Sequence, residues 1–310
     1  MDVLVTGGCG FIGRWVVKRF LEDDACVHVL DDLSNGRSEN LDEFRDNRNL
    51  QLTIGDINDT ALLLKLYKNK FDICLHLAAS IVVQDSIDNP KQTFKNDVIG
   101  TFNMLEESRK SDTKFVFMST CMVYDTAAAG GAISETHPTK PASPYAGAKI
   151  AGENMVQSYY YAYGLPTVIL RPFNTYGPFQ KSTGEGGVVS VFIQRELNKQ
   201  VLNIFGDGKQ TRDLMYAEDC AEFVVKAAYS DDVNGEILNA GSGEDITINS
   251  LAAMICKDPV RIKHVKHIHP QSEIPKLVCD YSKAKDKLGW VPKTKLQKGI
   301  ESVKKWMKNQ

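Results

Sequence analysis

The sequence predicts an α/β fold: a doubly wound parallel sheet of the Rossmann type with a smaller C-terminal substrate-binding lobe. Short apolar runs alternate with helical patterns over the first half of the chain, which indicates parallel strands joined by right-handed crossovers. A glycine-rich turn separates the first apolar run from the first helical pattern, and after residue 172 the alternation becomes irregular. We therefore expect residues 1–172 to form the Rossmann domain. Residues 173–310 should mainly form the second lobe, with some segments returning to the first domain.

The predicted elements follow one another in the order that this fold requires. Strands are expected at 2–6, 26–31, 50–54, 72–77, 114–119 and 166–171. Helices are expected between them, near 13–22, 59–68, 91–110 and 145–163. The second half should contain helices near 187–199, 217–229 and 296–308 and a short strand at 202–205. Ligands of such folds bind at the carboxyl edge of the sheet, which the second lobe should cover.

The glycine-rich turn reads Thr-Gly-Gly-Cys-Gly-Phe-Ile-Gly over residues 6–13, with the spacing G-x-x-G-x-x-G at Gly7, Gly10 and Gly13. Glycines can adopt positive φ, and they let a pyrophosphate approach the N-terminus of the following helix, where free N–H groups attract anions. Three glycines alone are a weak signal, but here they stand between a strand and a helix. The turn therefore predicts a dinucleotide site.

Acidic residues at the end of the second strand indicate that the dinucleotide is NAD. Asp31 closes the apolar run 26–31, and Asp32 follows it. A carboxylate at this point accepts hydrogen bonds from the adenosine ribose and repels the 2′-phosphate of NADP. Arg37 could pair with such a phosphate, but the two carboxylates favour NAD.

Composition excludes several other classes of protein. The 310 residues are 43% hydrophobic and 25% charged with a net charge of −2, which is ordinary for a soluble enzyme and gives no support for nucleic-acid binding. The seven cysteines form no C-x-x-C pair, so we expect reduced thiols in the cytoplasm and neither disulfides nor a metal site. Since no run of about 18 apolar residues occurs, we expect no membrane span or signal peptide.

A tyrosine and a lysine spaced for catalysis stand at the start of a predicted helix. Tyr145 and Lys149 are four residues apart and share a helix face, and Ser143-Pro144 precede them as a cap and turn. A nearby ammonium lowers the pKa of a phenol, so Tyr145 could act as a general base. Thr120 follows the apolar strand 114–119, where its hydroxyl could hold the substrate oxygen that Tyr145 deprotonates.

Taken together, the motifs resemble the extended short-chain dehydrogenases/reductases of the NAD-dependent epimerase/dehydratase family, which act on nucleotide sugars. The resemblance covers essentially the whole chain. It rests on Thr6–Gly13, Asp31–Gly36, Gly55-Asp56, His76–Ala79, Asn96 with Gly100-Thr101, Thr120/Tyr145/Lys149, Arg171–Asn174, Tyr176–Pro178, Gly206–Gly208, Arg212-Asp213 and Leu288–Trp290.

The resemblance implies roles for further residues. Together with the glycines, Tyr145 and Lys149, it places at the cofactor Phe11, Ile12, Asp31, Asp32, Asn35, Asp56, Ile57, Leu77, Ala78, Ala79, Asn96 and Phe173. It places at a nucleotide-sugar substrate, with UDP as the expected nucleotide, Val82, Thr120, Asn174, Val188, Asn203, Phe205, Arg212 and His269. It also implies a homodimer formed through the helices near 91–110 and 145–163, with Phe102, Leu105, Tyr159 and Tyr160 as either interface or core residues.

Three departures from the family pattern bear on the reaction. The family's 4,6-dehydratases carry Asp-Glu directly after the threonine, whereas this chain has Cys121-Met122; a thiol can transfer a proton and a thioether cannot. Ile81-Val82-Val83 form an apolar stretch where dehydratases have polar residues, which suits a deoxygenated C6, a methyl or an N-acetyl group. His269 stands near the place of the family's second diphosphate arginine, and its charge depends on pH.

The sequence leaves three functions open. The first is oxidation of the sugar at C4 to a 4-keto intermediate followed by C5/C6 chemistry, either like a 4,6-dehydratase or as isomerisation of a 5,6-alkene with inversion at C5. In that reading Cys121 transfers a proton, although it could simply fill space. The second is 4-epimerisation of a UDP-hexose or UDP-N-acetylhexosamine. The third is a non-catalytic NAD-binding regulator, which the retained Tyr145 and Lys149 disfavour.

Overall fold

The computed structural model describes residues 1–128, 131–183, 187–267, 270 and 273–310, and its centre is a seven-stranded parallel sheet. The strands are β1 (Asp2–Thr6), β2 (Cys26–Asp31), β3 (Leu50–Ile54), β4 (Ile73–His76), β5 (Lys114–Met118), β6 (Thr167–Pro172), β7 (Asn174–Tyr176), β8 (Leu202–Phe205), β9 (Thr211–Tyr216), β10 (Ile237–Ala240), β11 (Asp245–Thr247) and β12 (Ile262–Val265). The central sheet has the order β10-β6-β5-β4-β1-β2-β3. The order reverses between β1 and β4, which places the ligand crevice of a doubly wound sheet above these two strands.

Helices cover both faces of this sheet. They are α1 (Phe11–Glu22), α2 (Thr60–Leu66), α3 (Val83–Asp88), α4 (Pro90–Phe94), α5 (Gly100–Lys110), α6 (Pro144–Tyr163), α7 (Val188–Leu197), α8 (Ala217–Tyr229), α9 (Ile248–Ile255), α10 (Ser282–Leu288) and α11 (Leu296–Lys308). Helices α1 and α8 pack on one face, while α5 and α6 pack on the other. Within the described residues, no helix has both the length and the hydropathy needed to cross a bilayer.

The predicted fold class is confirmed, and the six strands expected in the first half are found with ends that differ by at most one residue. One predicted helix differs. The segment expected as a continuous helix near 91–110 is α4, then a π-helical turn at Lys95–Ile99, then α5. A π turn holds more residues than an α turn and redirects the side chains within it, so the residues facing the sheet here are not those that a regular helix would present.

The second half of the chain supplies both a smaller lobe and part of the central sheet. Strand β10 pairs with β6 at one edge of that sheet, and α8 packs against α1. The remaining strands form a three-stranded sheet in the order β11-β9-β7 and a two-stranded sheet of β12 and β8. Helices α7, α9 and α11 bury their apolar faces against these strands.

Candidate active site

The glycine-rich turn has the backbone geometry of an anion site. Gly7 has φ +73°, and a Cβ on Gly13 would lie 2.1 Å from the Gly7 carbonyl oxygen, so neither position accepts a side chain. Gly10 caps α1 without a side-chain bond, and the first turn of α1 contains no acid. The helix N-terminus is therefore open to a phosphate, for which its dipole and free N–H groups are suited. Phe11 and Ile12, in this first turn, are half-buried.

Asp31 holds this turn as well as ending β2. Its Oδ2 accepts from the Cys9 N–H at 2.9 Å and its Oδ1 from the Leu33 N–H at 2.9 Å, and the residue is 6% exposed. Burial raises the pKa of its carboxyl, while these two backbone bonds oppose that rise. Each carboxylate oxygen has a second lone pair, so ribose hydroxyls can still be accepted. Asp32 is exposed and accepts from Ser34.

The other residues that the resemblance assigns to the cofactor lie close to the carboxyl ends of strands. Asp56 and Ile57 follow β3, and the segment Leu77–Ala79 follows β4. A Cβ on Gly7 would lie 2.8 Å from the Ala78 nitrogen, which shows how closely the two loops approach. Asn35 lies in the loop after β2, where its Oδ1 accepts from Lys181, and Phe173 is a buried residue just after β6.

Helix α6 begins and ends where its sequence directs, and this fixes the position of the catalytic pair. Ser143 accepts a hydrogen bond from the Ala146 N–H at 3.2 Å, Pro144 occupies the first turn, and Gly164 closes the helix with φ +68°. Tyr145 and Lys149 lie in the first two turns and are 8% and 3% exposed.

Tyr145 and Lys149 both face the end of β5. The Thr120 hydroxyl lies near the Tyr145 phenol and opposes the rise in pKa that burial gives it. Lys149 donates to the Met118 carbonyl oxygen at 2.9 Å. Burial lowers the pKa of Lys149, whereas the carboxylates of Asp97 and Glu153 raise it. The structure thus brings Thr120, Tyr145 and Lys149 together as the sequence predicts.

Cys121 lies beside the same group. It is 2% exposed and begins a short 3₁₀ turn directly after Thr120. A negative charge on Cys121 would raise the pKa of Tyr145. Cys121 also faces the charged side chains of Arg212 and Asp213. Burial raises the pKa of its thiol to about 12, so Cys121 is protonated at neutral pH. It can donate a proton but has no thiolate with which to accept one.

The residue next to Asn96 is one that sequence reasoning missed. The Asn96 amide donates to Ser80 Oγ at 2.9 Å and accepts from Gln92. Asp97 instead is 1% exposed, and its charge acts on both Tyr145 and Lys149. The acidic residue within a predicted helix was a signal for it, but helical periodicity did not separate Asp97 from its neighbour.

The smaller lobe contributes polar groups that suit a diphosphate. Asn174 begins β7 directly after Phe173, and its buried Oδ1 has no hydrogen-bond partner among the described residues. Arg212, on β9, pairs with Glu273 and donates to the Ile274 carbonyl oxygen at 2.9 Å. Arg212 holds the Glu273 carboxylate through one nitrogen, and a guanidinium is a residue type that can also pair with phosphate oxygens.

The remaining predicted substrate residues are spread over three elements. Val82 is half-buried and caps α3, and Val188 is the half-buried first residue of α7. Asn203 and Phe205 lie on β8, with Phe205 42% exposed. His269 lies outside the described residues.

With this geometry established, comparisons with known proteins identify the family. A family model described as GDP-mannose 4,6 dehydratase matches residues 4–303. A putative UDP-glucose 4-epimerase from Methanocaldococcus jannaschii is 36% identical, and the match covers 99% of this chain and 98% of the relative. The chain belongs to the NAD-dependent epimerase/dehydratase family of enzymes acting on nucleotide sugars. Curated relatives of this family also include dehydratases and decarboxylases.

Solved structures superpose on the whole chain. Pal from Bacillus thuringiensis is 60% identical with a TM-score of 0.98, covering 100% of this chain and 99% of that protein. A UDP-glucose 4-epimerase from Thermotoga maritima, solved with UDP-glucose, is 33% identical with a TM-score of 0.92, covering 100% and 99%. Because relatives in this family are described as epimerases, dehydratases or decarboxylases, family membership alone does not determine which reaction follows sugar binding.

Proposed function

We propose that this chain is an NAD-dependent enzyme that oxidises a UDP-sugar at C4 to a 4-keto intermediate and then changes the sugar at C5 and C6. The observation that carries the C5/C6 assignment is Cys121, a buried and protonated thiol placed beside Tyr145. UDP is supported by the Thermotoga maritima relative, which was solved with UDP-glucose.

NAD binding is supported by the open N-terminus of α1, the crowded glycine turn and the Asp31 carboxylate. Gly7, Gly10 and Gly13 would hold the pyrophosphate, and Asp31 the adenosine ribose. When bound, NAD supplies a hydride acceptor for the sugar C4 and a hydride donor that closes the cycle.

Within this scheme, Tyr145 takes the proton of the sugar 4-hydroxyl. Thr120 lies near the Tyr145 phenol, so a substrate hydroxyl entering here meets both groups. Lys149 stabilises the phenolate as an ammonium, because an opposite charge nearby favours the ionised phenol. Arg212 would pair with the diphosphate, and Asn174 would contact it through its amide N–H donors. The buried Oδ1 of Asn174 accepts hydrogen bonds only, so its partner would be a donor such as a ribose hydroxyl.

The protonated state of Cys121 favours one of the two C5/C6 reactions. A 4,6-dehydratase needs a base that removes the C5 proton, which a buried thiol with a pKa of about 12 cannot supply at neutral pH. A sugar that already carries a 5,6-double bond needs no base at C5 and only a group that donates a proton to C5. The substrate would lose the O4 proton and a C4 hydride and gain a C5 proton and a C6 hydride, so the reaction is a net isomerisation to a 4-keto-6-deoxy sugar. Protonation by Cys121 from the face opposite to the usual one would invert C5.

A 4-epimerase is the second candidate, and the names of two relatives favour it. The Methanocaldococcus jannaschii and Thermotoga maritima proteins are both described as UDP-glucose 4-epimerases. This reaction uses Tyr145, Thr120 and Lys149 in the same way but requires no proton transfer at C5.

Deuterium incorporation separates these functions. The enzyme is incubated in D2O with NAD and, in separate reactions, UDP-glucose, UDP-N-acetylglucosamine and the 5,6-unsaturated derivative of the latter, and products are read by NMR. The proposal expects conversion of the unsaturated sugar with one deuterium at C5, and none with Tyr145→Phe. Inversion at C4 without deuterium at C5 would establish the epimerase, whereas NAD binding without any turnover would indicate the regulator.

We also infer a cytoplasmic homodimer that uses the outer surfaces of α5 and α6. Phe102 and Tyr161 are 43% and 78% exposed on these two helices. Leu105 and Tyr159, which the sequence left open as interface or core, are core residues at 0% and 8% exposure. Light scattering of the purified chain and of a Phe102→Glu variant tests the dimer.

A further inference from the structure

We propose that Asp97 is a positioning residue of this site: its buried carboxylate is the counter-charge that keeps Lys149 an ammonium and aligned with Tyr145. The inference rests on the proposed function only in taking Tyr145 as the base. The observations that carry it concern the burial of Asp97, its hydrogen bonds and the charges around it.

The π-helical turn places Asp97 in the site. The turn, Lys95–Ile99, packs against α6. Its geometry is stabilised by Thr101, whose hydroxyl donates to the Asp97 carbonyl oxygen at 2.7 Å and also hydrogen-bonds His76 at 3.1 Å. Such π turns are rare and frequently occur at functional sites, and this one holds the Asp97 side chain in a buried position.

The carboxylate of Asp97 is only partly satisfied. Oδ1 accepts from the Ser80 N–H at 2.7 Å, but the buried Oδ2 has no hydrogen-bond partner among the described residues. A buried carboxylate with an unused oxygen is unfavourable unless a cation or a ligand compensates it. The cation that acts on Asp97 is Lys149, and burial together with this charge sets the pKa of the carboxyl at about 6. Asp97 is therefore mostly ionised at neutral pH.

The other acid near Lys149 is already neutralised. Glu153 accepts two hydrogen bonds from Arg171, at 2.8 and 2.5 Å, and a third from Ser119. Its negative charge is thus shared with a guanidinium, which reduces what it can do for Lys149. Asp97 forms no ion pair with any cation among the described residues, and of the two carboxylates whose charge acts on Lys149 it is the one that no guanidinium engages.

The remaining titratable groups around the site do not replace Asp97. His76 faces Lys149 from β4, but burial lowers the pKa of its imidazole to about 3, so it is neutral. Tyr145 faces Asp97 from α6, and Cys121 faces Tyr145; burial keeps both protonated. On the elements that pack against the turn, Lys91 of α4 is exposed to solvent, as is Lys95 in the turn itself.

A direct test measures the titration of Asp97 without any turnover. The chain is labelled with 13C at aspartate Cγ, and the Asp97 resonance is assigned as the one missing from Asp97→Asn, or from Asp97→Ser if that variant does not fold. We expect an apparent pKa near 6 in the wild type and a rise of about 1 unit in Lys149→Met, because the neighbouring cation that favours the carboxylate is removed. Lys95→Met removes an exposed cation from the same turn and should leave the titration unchanged.

Two results of the NMR titration would overturn the proposal: titration of Asp97 at an ordinary aspartate pKa, or equal shifts in the two lysine variants.

A kinetic experiment tests the same role in turnover. It compares Asp97→Asn with a control variant, Asp88→Asn, which changes an exposed acid on α3. Without the Asp97 charge, Lys149 loses its proton at lower pH, so the basic limb of the kcat profile should move about 1 unit toward acid with KM little changed. An unmoved limb in the folded variant contradicts the positioning role. Since the NMR titration needs no substrate, a wrong substrate assignment cannot imitate this failure.

Discussion

Replacing Cys121 by alanine, with Cys279→Ala as its matched control, separates a proton donor from a packing residue. Both cysteines are 2% exposed and belong to one apolar cluster, which also contains Val123 and Ile133. Each substitution deletes one buried sulfur, comparable with a methylene, so each should lower the free energy of unfolding by about 1 kcal/mol, plus a contribution from the small cavity. The two variants should therefore have similar stability.

Their activities should differ. The charge of Cys121 acts on Tyr145, and Cys121 also faces Arg212. Cys279 donates its backbone N–H to Asp213, and its thiol interacts with Cys121 rather than with Tyr145. Loss of a general acid lowers the rate by about 10²–10⁴-fold, equivalent to about 3–5 kcal/mol in the transition state. We expect this loss in Cys121→Ala alone, in the steady-state rate with the 5,6-unsaturated UDP-sugar.

Stability and NAD affinity are measured alongside, by urea unfolding and calorimetry, so that a folding defect is not mistaken for lost chemistry. Equal rates in Cys121→Ala and Cys279→Ala, with both variants folded and binding NAD, would refute the donor role and leave Cys121 as a filler. That outcome would also favour the epimerase, which needs no proton at C5.

Two further perturbations test the cofactor turn and the buried network. Gly13→Ala should abolish NAD binding in calorimetry, because the added Cβ would lie 2.1 Å from a backbone oxygen of the same turn. The control Gly131→Ala, where the nearest atom is 3.5 Å away, should bind NAD normally. Binding of NAD by the Gly13→Ala variant would exclude this turn as the pyrophosphate site. Arg171→Met should lower the free energy of unfolding, measured in urea, by about 3–5 kcal/mol, because it leaves the buried Glu153 without its cation. The control Arg45→Met removes an exposed ion pair and should leave the urea midpoint unchanged. A similarly small effect in both variants would contradict this account of the network.

The central sheet and the catalytic helix were predictable because local signals agree with the tertiary structure. Each strand of the first half is an apolar run bounded by turn residues, and β1 is buried over four of its five residues. Helix α6 carries its own boundaries in Ser143, Pro144 and Gly164, so the spacing of Tyr145 and Lys149 translates directly into a shared face.

The residues that sequence reasoning missed depend on features without a local signal. The choice of Asn96 assumed a uniform helix, and the π turn at Lys95–Ile99 breaks that assumption. The pairing of Arg212 with Glu273 joins residues 61 positions apart, and no periodicity reports such a contact. The protonation of Cys121 likewise follows from burial by distant segments, which the residue type alone does not reveal.

The charges of the site explain why Tyr145, rather than Cys121, is suited to be the base. Burial raises the pKa of both groups, so neither is an anion in the resting site. Lys149 is the ammonium that can stabilise a phenolate on the same helix face, whereas the thiol of Cys121 is kept protonated mainly by burial, with Arg212 favouring and Asp213 disfavouring its thiolate. Tyr145 can therefore act as the base once its own proton is lost and its phenolate is stabilised by Lys149, whereas Cys121, which keeps its proton, can only donate one. This division of roles requires Lys149 to stay charged in a buried place, and with Glu153 engaged by Arg171, the charge that maintains it is that of Asp97.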